Sequence, residues 1–252
     1  MPFLNPSSKP RVFAHRGLAL NSDGTPLDEN SLESFARALE VGTDYIESDI
    51  QVSSDGVPVL FHDNDLRRVA GIDSPVHRHT IEELKSFKLE HGSTIPTLRE
   101  ALERFPTARF NLDFKSVASI IAGTREIAAI GAQGRILVAS FSDARREAAV
   151  SKLPGVATSA GSASVLRALI GSKLHLGIVT GIALANIDAI QVPTHFGRIR
   201  LDTERFISDV AKAGTETHFW TINEPSEMVR LVSLGAKGIV TDRADLAVSA
   251  LH

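Results

Sequence analysis

The chain has no cysteine among its 252 residues, which excludes disulfides and thiolate metal sites outright. It has no run of about 18 apolar residues, so no membrane-spanning helix is expected. Its net charge is only −3 with histidine neutral, which gives no basis for a polyanionic partner such as nucleic acid. No internal repeat and no low-complexity tract interrupts it. The stretch Met1–Lys9 is short and polar and lacks the apolar core of a signal peptide. With the absence of cysteine, this makes the cytoplasm the default expectation. No amphipathic surface helix or basic patch is read from the pattern, so no stable membrane association is expected.

What is present is ample core material. Apolar residues make up 43% of the chain and charged residues 23%, both ordinary for a globular protein. The length is near that of one α/β barrel, and no linker divides it, so one domain is expected across residues 1–252. Short β-type runs alternate with helical patterns, which argues a parallel sheet with helical crossovers. The strands are read at Val12–His15, Tyr45–Val52, Phe110–Phe114, Ile136–Ser140, Val156–Ser159, Ala189–Val192, Thr217–Thr221 and Gly238–Thr241. Eight is the number that closes a TIM-type barrel. Leu174–Val179 also reads as a strand and competes for one of these places. The run Val57–Phe61 follows Val52 after only Ser53-Ser54-Asp55-Gly56. A parallel crossover needs a dozen or more residues, so this run must return as an antiparallel hairpin arm. A small helical insertion is read after it, at about residues 64–96. Helix starts are placed at Asn30, with Glu33 completing a capping box, at Thr80 with Glu83, at Thr97 with Glu100, and at Asp202.

Strand alternation then locates the chemistry. In the second strand Tyr45, Glu47, Asp49 and Gln51 share one face, and Ile46, Ser48, Ile50 and Val52 the other. In the next barrel strand Asn111, Asp113 and Lys115 oppose Phe110, Leu112 and Phe114. The apolar faces must meet the outer helices, which turns the polar faces into the barrel. Charges there need partners or a metal. Glu47, Asp49 and Asp113 make an oxygen-only set suited to a hard divalent cation, Mg²⁺ or Ca²⁺. From spacing alone the same residues read more readily as an interior salt-bridge cluster tied to Lys115 and Arg16. His15 and His62 end strands beside these acids and suggest an acid–base pair. Arg16 offers a planar fork for a phosphate.

The ordered set of motifs is more specific than any one of them. It comprises His15-Arg16-Gly17, Glu29-Asn30-Ser31, Glu47-Ser48-Asp49 with Ser54-Asp55-Gly56, His62-Asp63, and Ile95-Pro96-Thr97-Leu98 with Glu100. Asp113-Phe114-Lys115, Trp220-Thr221-Ile222-Asn223 and Gly238-Ile239-Val240-Thr241-Asp242 complete it. This series resembles the glycerophosphodiester phosphodiesterase family from Val12 to about Leu246. The resemblance implies a phospholipase-C-like TIM barrel that releases glycerol 3-phosphate and an alcohol from a small-molecule glycerophosphodiester. It implies His15 and His62 as the catalytic pair, and Glu47, Asp49 and Asp113 as ligands of one divalent cation. Arg16 and Lys115 would then hold phosphate oxygens, Trp220 would line the glycerol pocket, and Glu29 would face the site. The nucleophile is left open between the glycerol 2-hydroxyl, through a cyclic phosphate, and water. Which histidine is acid and which is base is open too. Three positions depart from the family pattern: Asp113 stands where Glu is common, Asp28 where Pro precedes the Glu-Asn pair, and Ala244 where Pro is usual. The loop Leu18–Leu27 is also long. Two rival readings are a phospholipase-D-like activity on lysophospholipids or sphingomyelin, and a non-catalytic phosphodiester-binding barrel.

Overall fold

The computed structural model describes residues 3–4 and 9–252; most of the Met1–Lys9 stretch lies outside them. The strands are β1 (Arg11–His15), β2 (Tyr45–Val52), β3 (Pro58–Leu60), β4 (Arg109–Phe114), β5 (Ile136–Ala139) and β6 (Ala157–Thr158). They continue as β7 (Ala189–Val192), β8 (His195–Phe196), β9 (Ile199–Arg200), β10 (Glu216–Phe219) and β11 (Gly238–Thr241). The helices are α1 (Leu32–Glu40), α2 (Arg67–Ala70), α3 (Ile81–Ser86), α4 (Leu98–Arg104), α5 (Val117–Ile130) and α6 (Asp143–Val150). They continue as α7 (Ser162–Lys173), α8 (Gly177–Ala183), α9 (Glu204–Lys212), α10 (Pro225–Ser233) and α11 (Ala244–Leu251).

Eight strands pair in parallel in the order β6-β5-β4-β2-β1-β11-β10-β7. The ring closes where β6 meets β7: Ser159 bridges Ala189, and Ala160 N donates to Ala189 O at 2.9 Å. This is the TIM-type barrel that the strand count implies. β3 pairs antiparallel with β2, Ile50 opposite Leu60, as the short connection Ser53–Val57 requires.

The side-chain alternation is obeyed. Ile46, Ile50, Phe110, Leu112 and Phe114 face outward and bury against Phe35 of α1, Leu98 of α4 and Ile120 of α5. Across the barrel, Val12, Ile190, Phe219 and Ile239 pack on Phe206 of α9 and Met228 of α10. The insertion closes its own small core from Leu66, Val76, Leu84, Leu89 and Ile95 with Val59 and Phe61 of the hairpin arm. Its capping box at Thr80 and Glu83 forms as read, and so does the one at Thr97 and Glu100.

Three local readings are corrected. The cap of α1 is Ser31, not Asn30, and its box partner is Ser34, not Glu33. A helix cap is extended, as Ser31 is, whereas Asn30 takes the left-handed conformation at φ 52°. The cap of α9 is Thr203 rather than Asp202, whose carboxylate is engaged by Arg200 and Arg230. Leu174–Val179 is not a strand; it forms the turn after α7 and the start of α8. A closed ring of eight leaves it no edge to join. No helix among the described residues is long and apolar enough to cross a membrane.

Inside, the lower part of the barrel is filled by Phe13, Tyr45, Leu137 and Val240 and by one polar chain. Asn111 Nδ2 donates to Gln191 Oε1 at 3.1 Å, Gln191 Nε2 lies 3.4 Å from His218 Nδ1, and His218 Nε2 lies 3.0 Å from Glu216 Oε2. Arg11 donates twice to Glu216, at 2.8 Å each. Burial pushes the acid of Glu216 up, but the bonds from Arg11 and His218 outweigh it and hold the acid at about 2. A depressed carboxyl stabilises the fold fully above its unfolded value of 4.5, and that stabilisation is lost as pH falls through about 2. Replacing Glu216 by Gln is therefore expected to cost about 3 kcal/mol at neutral pH and to flatten the loss of stability below pH 4.5. Urea unfolding of both proteins across that range measures it; parallel stability curves would contradict the assignment.

Candidate active site

The strands run in one direction, so their C-terminal ends form one mouth, and the predicted residues gather there. His15 ends β1. Its ring Nδ1 lies 2.6 Å from Asp242 Oδ1, just beyond β11. Asp242 is fixed in turn by Asn223, whose Nδ2 donates to its Oδ2 at 2.8 Å. Asn223 Oδ1 accepts from Asp242 N and from Thr241 Oγ1. The carboxylate places the imidazole proton on Nδ1 and leaves Nε2 exposed to the mouth, 3.9 Å from Glu47 Oε2. Burial lowers the proton affinity of His15, but the bond to Asp242 and the charge of Glu47 outweigh it, so its pKa lies above the ordinary value.

Arg16 and Gly17 leave the strand through two consecutive left-handed residues, at φ 57° and 85°. At Gly17 a Cβ would stand 2.4 Å from Ser34 Oγ of α1, so only glycine fits. This turn aims Arg16 N at the Glu47 carboxylate (3.2 Å) and Arg16 Nη1 at Glu29 Oε1 (3.0 Å). Asn30 locks the loop that carries Glu29. Its N–H donates to Arg16 O at 2.8 Å, and its Oδ1 accepts from Ser48 Oγ at 2.6 Å. That double attachment accounts for Asn30 leaving the cap to Ser31.

Glu47, Asp49 and Asp113 all point inward, as the alternation requires, with side chains 13, 4 and 12% exposed. Lys115 Nζ lies 2.7 Å from Asp49 Oδ1 and 2.9 Å from Asp113 Oδ2. Burial and the neighbouring Asp49 push the Glu47 carboxyl up to about 8, and burial raises Asp113 too. On Lys115 the two carboxylates outweigh burial and raise the pKa. Two buried atoms stay unbonded and face each other: Asp49 Oδ2 and Arg16 Nε, 4.0 Å apart. As they stand, no three His, Asp or Glu side chains among the described residues are grouped to hold a metal ion; the Lys115 ammonium joins Asp49 to Asp113 instead.

His62 follows the hairpin arm, and Asp63 beside it takes its Nδ1 at 2.7 Å. The other oxygen of Asp63 accepts from Arg68 Nε at 2.7 Å, and Arg68 Nη2 reaches Glu29 Oε1 at 2.5 Å. A continuous chain of ion pairs therefore connects the two histidine sites: Asp63, Arg68, Glu29, then Arg16 next to His15. The bonds from Arg68 and Arg16 keep Glu29 below the usual carboxylate range against its burial. Arg68 and Asp242 carry no role in the sequence reading. Arg68 pairs across 39 residues, beyond any local pattern, whereas Asp242 stands in a quoted motif. Asp28 is buried and accepts from His91 N and Ser93 N, each at 2.9 Å, so it ties the Glu29 loop to the insertion. Trp220 directly follows β10, its ring set edge-on to Phe141 with centroids 6.2 Å apart.

The family model of the glycerophosphoryl diester phosphodiesterase family matches residues 15–246. The "Probable glycerophosphodiester phosphodiesterase 2" of Mycobacterium tuberculosis is 34% identical, with 93% of this chain and 88% of that one covered. A phosphodiesterase from Oleispira antarctica, solved in complex with the product sn-glycerol-3-phosphate, superposes with a TM-score of 0.77 at 26% identity, covering 96% of both chains. The glycerophosphodiester phosphodiesterase of Thermotoga maritima superposes at 0.72 with 25% identity, covering 97% of this chain and 99% of that one. The matched segment opens on His15 and runs past Asp242, spanning every residue of the mouth, and the chain belongs to the glycerophosphoryl diester phosphodiesterase family.

Proposed function

We propose that the protein hydrolyses small glycerophosphodiesters to glycerol 3-phosphate and an alcohol, with His15 and His62 as the acid–base pair beside a divalent-cation site. One observation carries the reading: each imidazole has its Nδ1 on an aspartate, Asp242 or Asp63. Each therefore keeps Nε2 for proton transfer, the arrangement general acid–base catalysis needs. One ring accepts the proton of the attacking hydroxyl while the other donates to the departing alkoxide. The chain of ion pairs through Arg68 and Glu29 holds the two rings and Arg16 in fixed relation.

The donor set fits a hard divalent cation. Glu47 and Asp49 are oxygen donors in deficit of positive charge, since Glu47 is pushed to about 8 and Asp49 Oδ2 is unbonded. Buried polar atoms are as a rule satisfied. Glu47 and Asp49, with Asp113 as the third acid, would hold Mg²⁺ or Ca²⁺, which would neutralise the phosphoryl oxygens as charge develops. Arg16 turns its unbonded Nε toward the same space, suited to a phosphate oxygen. Lys115 supplies a second positive charge, and Trp220 with Phe141 gives an apolar corner for the glycerol carbons.

Release of glycerol 3-phosphate from glycerophosphocholine, glycerophosphoethanolamine and glycerophosphoinositol, followed by a coupled assay, tests the activity. His15→Ala and His62→Ala are each expected to lower kcat by at least about 10²-fold; wild-type turnover in both variants would sink the mechanism. Arg68→Ala, which touches neither nucleophile nor leaving group, is expected to lower kcat by about tenfold or more through misplacement of His62, with rescue by Arg68→Lys incomplete because the fork is lost.

The Asp242 carboxylate raises the His15 pKa, so Asp242→Asn should move it downward. Imidazole nitrogen shifts followed by NMR across pH 5–8, about the natural histidine range, would show this. An unmoved titration would remove Asp242 from its orienting role.

Chelation is expected to abolish turnover, and Mg²⁺ or Ca²⁺ to restore it. Calorimetric titration with either ion should show binding to the wild type and at least about tenfold weaker binding to Glu47→Gln. Full activity in excess chelator would exclude the cation.

A further inference from the structure

One face of the molecule, around the end of α7 and the β8–β9 hairpin, is apolar and carries unpaired positive charge. Helix α7 reaches from α6 to α9. Its first turn donates to Asp143 at the start of α6, from Ala163 N at 3.0 Å and Ser164 N at 3.2 Å. Its last turn meets the start of α9, where Arg205 Nε donates to Ser172 O at 3.0 Å and Arg205 Nη1 to His175 Nε2 at 2.9 Å. Ser172 Oγ also donates to Asp209 Oδ2 of α9 at 2.8 Å, so the end of α7 is fastened along α9. There the chain presents Leu174, Leu176 and Ile178 to solvent, at 62, 48 and 80% exposure. The β8–β9 hairpin adds Phe196 at 72%.

Lys173 and Arg198 line one groove with Ile199 and Arg200. Among the described residues neither Lys173 nor Arg198 has an ion-pair partner. Residues 162–200 hold four Lys or Arg and a single acid, Asp188, which precedes β7 at the far end of the barrel and accepts from Thr158 N. Of the acids that follow, Asp202 and Asp209 pair with Arg200, Arg230 and Lys212, leaving Glu204.

Exposed Leu, Ile and Phe interleaved with free cations form the pattern that settles into the headgroup region of a bilayer. We infer that this face docks the protein reversibly on an anionic lipid surface. The charge decides between occupants. A two-fold contact with a second copy sets the same patch against itself and opposes Lys173 and Arg198 to like charges. An anionic membrane matches them and takes up the apolar side chains. This surface departs from the expectation of no membrane association, because Leu174–Val179 reads in sequence as a strand and stands in the fold as solvent-facing turn and helix.

Cosedimentation of the full chain with phosphatidylcholine vesicles, with and without about one third phosphatidylglycerol, tests the inference. Binding is expected with the anionic vesicles only, weakening as salt rises. The double variant Lys173→Glu/Arg198→Glu is expected to lower binding at least about tenfold. Ile178→Ser/Phe196→Ser should lower it by a similar factor at every salt concentration. Thermal melts, which read folding independently of any activity, should be unchanged in both. Equal partition to neutral and anionic vesicles, anionic binding that both variants retain, or a salt-resistant dimer in equilibrium sedimentation that Ile178→Ser/Phe196→Ser dissolves would each overturn it.

Discussion

The ammonium of Lys115 between Asp49 and Asp113 is the contact on which the mouth depends. Two carboxylates on neighbouring strands, opposite each other in register, repel at a burial that permits no bulk-water screening. One cation two residues beyond Asp113 on the same chain lets both stay inside. Glu47 has no such partner and retains its proton up to about 8. The interior therefore holds two acids that share one ammonium and a third, Glu47, without one, within a single layer.

Around this layer the positioning is done by backbone as much as by side chains. The left-handed Arg16 and Gly17 turn the chain inward, and Asn30 pins the next loop to both β1 and β2. His15 is thus oriented from three directions: its own strand, Asp242 beyond β11, and Glu47 on β2. His62 has a looser origin, at the end of an arm of three paired residues. Its placement relies on Asp63 and Arg68, and Arg68 in turn belongs to the insertion. The two imidazoles therefore differ in what holds them: one is anchored by the barrel, the other by an appendage.

How much of this was legible in the sequence follows from the range of each interaction. The period-two pattern of Tyr45–Val52 and Arg109–Phe114 is local, and it placed Glu47, Asp49 and Asp113 on the inner face. The short Ser53–Gly56 turn forced the antiparallel arm for steric reasons alone. Asn30 and Leu174–Val179 misled because tertiary demands overrode local preference: Asn30 was needed as a left-handed clamp, and an apolar β-branched run found no sheet edge open. Arg68 was illegible because the partner that ties it to the site, Glu29, lies in a loop far earlier in the chain. Asp242 stood in a recognised motif, yet its partner, His15, is at the opposite end of the sequence, and only closure of the barrel brings β1 beside β11.

Asp28 ties these threads together. By accepting two backbone N–H groups from the segment His91–Ser93, it fastens the far end of the insertion to the residue just before Glu29, while Arg68 fastens the near end to Glu29 itself. The appendage is thus bolted at both edges to one short loop. The pieces are not modular: residues 64–96 of this chain grafted into a relative bearing Pro at position 28 would arrive without their anchor, and the histidine they support would inherit the slack.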